Sequence, residues 1–168
     1  MGVCGAGKTT VGTLLAAQFG GTFIDADSLH PPANQEKMRS GTPLTDADRA
    51  PWLTRVAAAL AAGGGDGAPV FIACSALKRA YRRQLAAAAP AGAAPIVFVH
   101  LEGSRALLAA RMQARTHHYM PASLLDSQLA LCERLASDEV GFAVDVCAPP
   151  ADVAEAAARG LRALDAAR

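Results

Sequence analysis

Residues Gly2–Thr9 read Gly-Val-Cys-Gly-Ala-Gly-Lys-Thr, which fits G-x-x-x-x-G-K-[ST] at every fixed position. Glycines let the backbone curl until consecutive N–H groups point inward at an anion. The helix that follows adds its positive N-terminal end. Lys8 can then reach the β- and γ-phosphates of a nucleoside triphosphate, and the Thr9 hydroxyl can hold Mg²⁺. The next stretch behaves as the motif demands: Val11, Leu14, Leu15 and Phe19 recur at helical spacing.

Asp25-Ala26-Asp27 follows the short apolar run Thr22-Phe23-Ile24. In an extended chain, alternation puts both carboxylates on one side. One can position the metal and the other can accept a hydroxyl proton; the working order is Asp25 for Mg²⁺ and Asp27 for the substrate. The polar stretch beyond them contains His30, Asn34, Lys37, Arg39, Asp46, Asp48, Arg49 and Trp52, and reads as a pocket for a small, polar, anionic substrate. Arg49 is the natural fork for a carboxylate, because guanidinium binds it bidentately. Trp52, the single tryptophan, is either a structural anchor or a pocket wall. Lys78 opens a helix, where a cation opposes the dipole, so an anion is expected beside it. Tyr81, Arg82 and Arg83, one turn on, can belong to a solvated helix face. Arg111 and Arg115 share a helical face and lead into Thr116-His117-His118-Tyr119-Met120, the arrangement of a lid spanning about 111–124. Arginines on a lid can neutralise charge developing on a migrating phosphoryl group. His117 and His118 have no paired ligand spacing elsewhere and read as lid residues.

These groups need a scaffold, and the apolar pattern supplies one. Strands are expected at Thr22–Ile24, Val70–Cys74, Ile96–Leu101 and Phe142–Val146. Helices are expected from Lys8, over Pro31–Ser40, Asp48–Ala62, Lys78–Ala89, Arg105–Arg115, Pro121–Leu135 and Ala151–Ala166, with a break at Gly63–Gly67. Alternating strands and helices argue for an α/β fold with a parallel sheet covered on both faces. Val70–Cys74 is a continuous apolar run, as expected of a strand buried on both faces. Ligands on such sheets collect at the carboxyl ends of the strands. One feature departs from the pattern. A phosphate loop should follow a buried strand, yet only Met1 precedes Gly2. The expectation is a sheet without its central strand, in a protein whose natural start lies several apolar residues upstream.

At 168 residues the chain reads as one domain, 1–168, large enough for a full core. Charged residues are 18%, below the usual quarter, and alanine makes up much of the apolar fraction, so helices should dominate. The net charge of +1 gives no push toward nucleic acid or an anionic membrane. No apolar run approaches a membrane span and no signal peptide opens the chain, so a cytoplasmic protein is expected. Cys4, Cys74, Cys132 and Cys147 form no C-x-x-C pair, so neither zinc nor a redox motif is indicated. Cys74, Cys132 and Cys147 read as small core residues. Cys4, inside the loop, either has a lowered pKa in that positive field or packs behind it.

The block from Asp25 to Leu53, D-x-D-x-L-H-P…N…K-M…G-x-P-L…D-x-D-R-x-P-W-L, closely resembles the gluconokinase family. So do Ala73–Arg82 and His118–Gln128, and the likeness covers nearly the whole chain. The resemblance implies an ATP-dependent kinase making 6-phospho-D-gluconate. It also implies a three-layer α/β/α fold like the nucleoside monophosphate and shikimate kinases, often as a homodimer. By position, Gly2, Val3, Cys4, Gly5, Ala6, Gly7, Lys8, Thr9 and Thr10 would hold ATP and Mg²⁺. Asp27, His30, Arg49, Lys78 and Gln128 would meet gluconate. The family continues after Gln128 toward Leu-Glu-Pro, whereas this chain reads Leu131-Cys132-Glu133-Arg134-Leu135, which leaves the role of Glu133 open. The other readings are a kinase of another small hydroxy acid, such as shikimate, and a nucleotide-binding protein impaired by the absent strand.

Overall fold

The structure is a computed structural model and describes residues 1–63, 67–114 and 122–167, with side chains omitted at 122 and 123. Four parallel strands carry the fold: β1 (Thr22–Asp25), β2 (Val70–Ala73), β3 (Phe98–Glu102) and β4 (Gly141–Asp145). They form two separate pairs, β1 with β2 and β3 with β4. Seven helices surround them: α1 (Lys8–Phe19), α2 (Pro32–Arg39), α3 (Asp46–Ala62), α4 (Arg79–Ala86), α5 (Arg105–Gln113), α6 (Ala122–Leu131) and α7 (Pro150–Ala166). On one side, Val11 and Leu15 of α1, Leu108 of α5 and Val153 and Ala157 of α7 pack with Leu101 and Val144. On the other, Trp52, Leu53 and Val56 of α3 and Tyr81 and Leu85 of α4 pack with Phe98. The result is the expected three-layer α/β/α arrangement.

The two sheet halves meet at Met1. Its amino group donates to the Val99 carbonyl (2.5 Å), its carbonyl accepts from Leu101 N–H (2.9 Å), and Gly2 N–H reaches Ser75 O (3.2 Å). Below this bridge, between β2 and β3, lies a cavity of ≈ 540 Å³ lined by Phe71, Ile72, Val99, Leu101, Val11 and Leu15 among others. The expected gap in the sheet is therefore present. It also corrects the reading of β2 as buried on both faces: Val70, Phe71 and Ile72 are only half-buried, because the neighbour on that edge is missing. Burial pushes the Met1 amine down to about 5, helped by the charge of Lys8. It sits uncharged near neutral pH where a peptide N–H would otherwise pair.

Element ends differ from the sequence reading in one informative place. α6 stops at Leu131, not Leu135. The following backbone is recruited elsewhere: Glu133 N–H donates to Leu77 O (2.8 Å), and Arg82 takes the carbonyls of Glu133 and Arg134 (both 3.1 Å). Arg82 is fully buried, not a solvated helix residue, and makes a two-pronged pair with Glu139 at 2.6 and 2.9 Å. Cys74 is buried as expected, Cys132 is half-buried and Cys147 is exposed, so the last is no core residue. Among the described residues no helix is long and apolar enough to cross a membrane.

The gap makes a stability prediction. A Val/Ile segment matched to the five residues of β3 and fused ahead of Met1 should raise Tm by ~10 °C. A Gly/Ser segment of equal length should not. Equal melting curves for the two fusions would show that the cavity does not accept a strand.

Candidate active site

The phosphate loop is built by backbone shape before side chains enter. Gly2 has φ 139° and its missing Cβ would lie 2.7 Å from the Leu101 carbonyl oxygen, so no other residue fits against β3. Gly7 has φ 87° and opens α1 in the left-handed conformation with nothing within 4 Å of its missing Cβ. That open side, with no side-chain cap and no acidic residue in the first turn of α1, leaves the helix N–H groups facing an anion site. Lys8 Nζ donates to Val3 O (3.0 Å), folding back over the loop. Gln128 Oε1 accepts from Cys4 N–H (2.7 Å), so α6 is tied to the loop. Cys4 Sγ lies 3.3 Å from Met112 Sδ and is buried, so the thiol packs behind the loop.

Asp25 closes β1 and turns the chain. Its Oδ1 accepts from Asp27 N–H (3.0 Å), starting a short 3₁₀ turn over Ala26–Leu29. Asp27 therefore stands on that turn, not on an extended strand, so strand alternation does not set the direction of its carboxylate. Asp27 is exposed, two residues beyond Asp25. Thr9 Oγ1 donates to the other Asp25 oxygen (3.0 Å). This exposed, oxygen-only pair fits a hard cation such as Mg²⁺.

The polar stretch divides into scaffold and site. Thr45 and Asp48 form a reciprocal cap on α3, and Lys37 pairs with Asp48 at 2.7 Å. These bonds hold the Asp48 carboxyl down at about 2. Arg39 pairs with Glu36 in solvent. Those groups position the helices. Trp52 is an anchor: it is buried, its Nε1–H reaches Ala26 O (2.7 Å), and its ring stacks on His30 at 4.3 Å and 11°. His30 is buried too, with Nδ1 3.3 Å from the Asn34 amide nitrogen. Burial, and then the charge of Arg49, push its pKa down to about 4, so it acts as a neutral imidazole. Arg49 is buried and gives one nitrogen to Leu44 O (2.6 Å).

Lys78 has the anion its position called for, and it comes from within the chain. Its Nζ lies 2.8 Å from both Asp46 oxygens. The Tyr81 hydroxyl donates to the same carboxylate. Tyr81 is buried, and its ring lies under Lys78 Nζ (5.6 Å) and Arg49 (5.9 Å). Sequence reasoning gave Tyr81 and Arg82 no site role. Their signal was the spacing of Leu77, Tyr81 and Leu85 at i, i+4 and i+8, which marks the buried face of α4. Ala76, with φ 42°, is the one described non-glycine residue at positive φ. Arg82 holds it by binding its carbonyl (3.2 Å) and that of Leu77 (3.1 Å). Glu133 Oε2 accepts from Arg79 N–H (2.5 Å), so it caps α4.

Arg111, read from sequence as a lid residue, lies in α5 and donates to Val146 O (2.6 Å). Arg115, His117 and His118 lie outside the described residues, as does the centre of the expected lid.

Unfolded, His30 takes a proton near 6.5, but folded only near 4. Unfolding thus binds a proton between those values, and stability should fall as pH drops from about 6.5 to 4. The Met1 amine adds the same sign between about 8 and 5. His30→Phe keeps the stack on Trp52 and should flatten the acid slope of the urea midpoint; an unchanged slope would put the protonation elsewhere.

Comparison with known proteins bears on the identity of this site. The family described as "AAA domain" matches residues 1–135. A gluconokinase of Gluconobacter oxydans is 52% identical over 83% of this chain and 76% of its own length. The thermosensitive gluconokinase of Escherichia coli is 43% identical over 83% of this chain and 72% of its own. A gluconokinase crystal structure from Sinorhizobium meliloti superposes with a TM-score of 0.87 at 46% identity, covering 98% of this chain and 90% of that one. With its phosphate loop, Asp25–Asp27 turn and Lys78–Asp46–Tyr81 cluster in the places described, this chain belongs to the gluconokinase family.

Proposed function

We propose that the protein transfers the γ-phosphoryl group of ATP to the terminal hydroxyl of D-gluconate, giving 6-phospho-D-gluconate. The observation that carries this reading is a phosphate loop facing an acidic turn, with Lys78, Tyr81 and Arg49 grouped on the Asp46 side, in a chain of this family. The loop amides and Lys8 bind the triphosphate; Lys8 swings off Val3 to do so. Thr9 and Asp25 hold Mg²⁺, which when bound offsets charge on the phosphates. Asp27 orients the 6-hydroxyl and takes its proton as the new O–P bond forms and the bond to ADP breaks. Arg49 and Lys78 receive the carboxylate, so the far end of the sugar acid faces ATP, while His30 offers a neutral wall. Gln128 links the sugar side to the loop through Cys4. Arg111 and Arg115 supply positive charge as the lid over about 111–124 closes and excludes water. Family resemblance supports a homodimer acting on these two small molecules, and the near-neutral charge supports a cytoplasmic protein without a nucleic-acid or membrane partner.

Coupled release of ADP tests the reading. Gluconate-dependent release is expected; release dependent on shikimate instead, or ATP binding with no release, would replace it. Asp27→Asn should lower kcat by about 10²–10⁴ while ATP still binds. Undiminished turnover would remove Asp27 from the proton-accepting role.

A further inference from the structure

The ion cluster at the start of α4 is asymmetric, and the asymmetry has a functional meaning. Its donors are fixed. Tyr81 is buried, and its ring lies against both Lys78 and Arg49. The backbone leading into Lys78 is clamped by Arg82 through the Ala76 and Leu77 carbonyls. The acceptor is not fixed. The Asp46 side chain is 64% exposed, against 25% for Lys78. Asp46 opens α3, where the helix dipole favours a carboxylate with or without a partner. Thr45 and Asp48 cap that helix between themselves, so Asp46 can leave Lys78 without uncapping it. Contrast Asp48, whose second oxygen is spent on Thr45 while the first binds Lys37.

We infer that Lys78, Tyr81 and Arg49 form a preorganised receptor for the carboxylate of the sugar acid, and that Asp46 occupies it until substrate displaces it. This rests on the gluconate reading and adds to it a specificity residue, Tyr81, and an internal competitor, Asp46. Lys78 binds both Asp46 oxygens while Tyr81 donates to one of them, the contact set an incoming carboxylate needs. Two carboxylates at one receptor repel, so substrate and Asp46 exclude each other. The receptor lies on the Asp27 side of the molecule: Arg49 stands close enough to His30 to lower its pKa, and His30 follows Asp27 on the same turn. The exchange keeps Lys78 neutralised before substrate arrives. It also sets a threshold, since only a ligand with its own anion can open the site at no loss of pairing.

Apparent affinity falls by the fraction of molecules with the receptor open. Asp46→Asn should therefore lower both KM for gluconate and its Kd, read from Trp52 fluorescence without ATP, by about threefold to tenfold. KM for ATP should hold, and Asp46→Glu, which restores the charge, should return gluconate values toward wild type. Gluconate turnover with KM for gluconate unchanged or raised in Asp46→Asn would overturn the inference, as would equal behaviour of the Asn and Glu variants. Absence of gluconate-dependent ADP release from the wild type would instead overturn the functional reading.

Discussion

A phosphate loop is a receptor only while its backbone is held at the carboxyl ends of the strands. Here that hold falls on Met1 and Gly2, which bond to Val99 and Leu101 on one sheet half and to Ser75 on the other. Among the described residues no strand-to-strand ladder joins the halves. Their relative position depends on these bonds and on two helices packed together, α1 against β1 and β2 and α7 against β4. The loop is thus both the ligand site and the clasp of the sheet. The half-buried face of β2 and the uncharged Met1 amine are two consequences of the same geometry.

Around this clasp, buried polar groups fix position, and a second class of polar groups lies nearer to solvent. Arg82 is the clearest case of the first kind. It has no exposure, and it gathers four backbone carbonyls and the Glu139 carboxylate. Burying a guanidinium is costly unless every donor is met, and removing one partner of such a pair costs about 3–5 kcal/mol. The dense bonding offsets that cost and pins the segment that leads to Lys78 against the segment after α6. Trp52, His30 and Asn34 do the same for the turn that carries Asp27. Thr9, Asp25, Asp27 and Asp46 sit in the second class. Thr9, Asp27 and Asp46 are exposed and Asp25 is half-buried, so these groups stay reachable from solvent.

The division of labour among the acidic residues follows from what each backbone does. Asp25 ends a strand and starts a turn with one oxygen, leaving the other for Thr9. Asp48 is committed to a helix cap and a lysine. Asp46, two residues earlier on the same helix, has no such backbone duty and gives both oxygens to Lys78. Three aspartates within one polar block thus have three different fates, set by the local hydrogen bonds of their neighbours.

The chain alone determined much of this. The G-x-x-x-x-G-K-[ST] spacing names a phosphate loop because only glycine tolerates the required φ values. The alternation of apolar runs and helical stripes requires a parallel α/β sheet, since each face must be covered. The gap between β2 and β3 was expected as well, because a phosphate loop ordinarily follows a buried strand. Tertiary structure decided which polar residues are scaffold and which are site. Sequence spacing cannot tell a buried Arg82 from an exposed Arg39, since burial depends on which face of α4 meets the segment after α6. Nor could it show that Asp27 sits on a 3₁₀ turn, because Asp25 makes that turn with its own side chain. The anion of Lys78 was expected from its helix position. That it is Asp46, thirty-two residues away, is a fact of how α3 packs against α4.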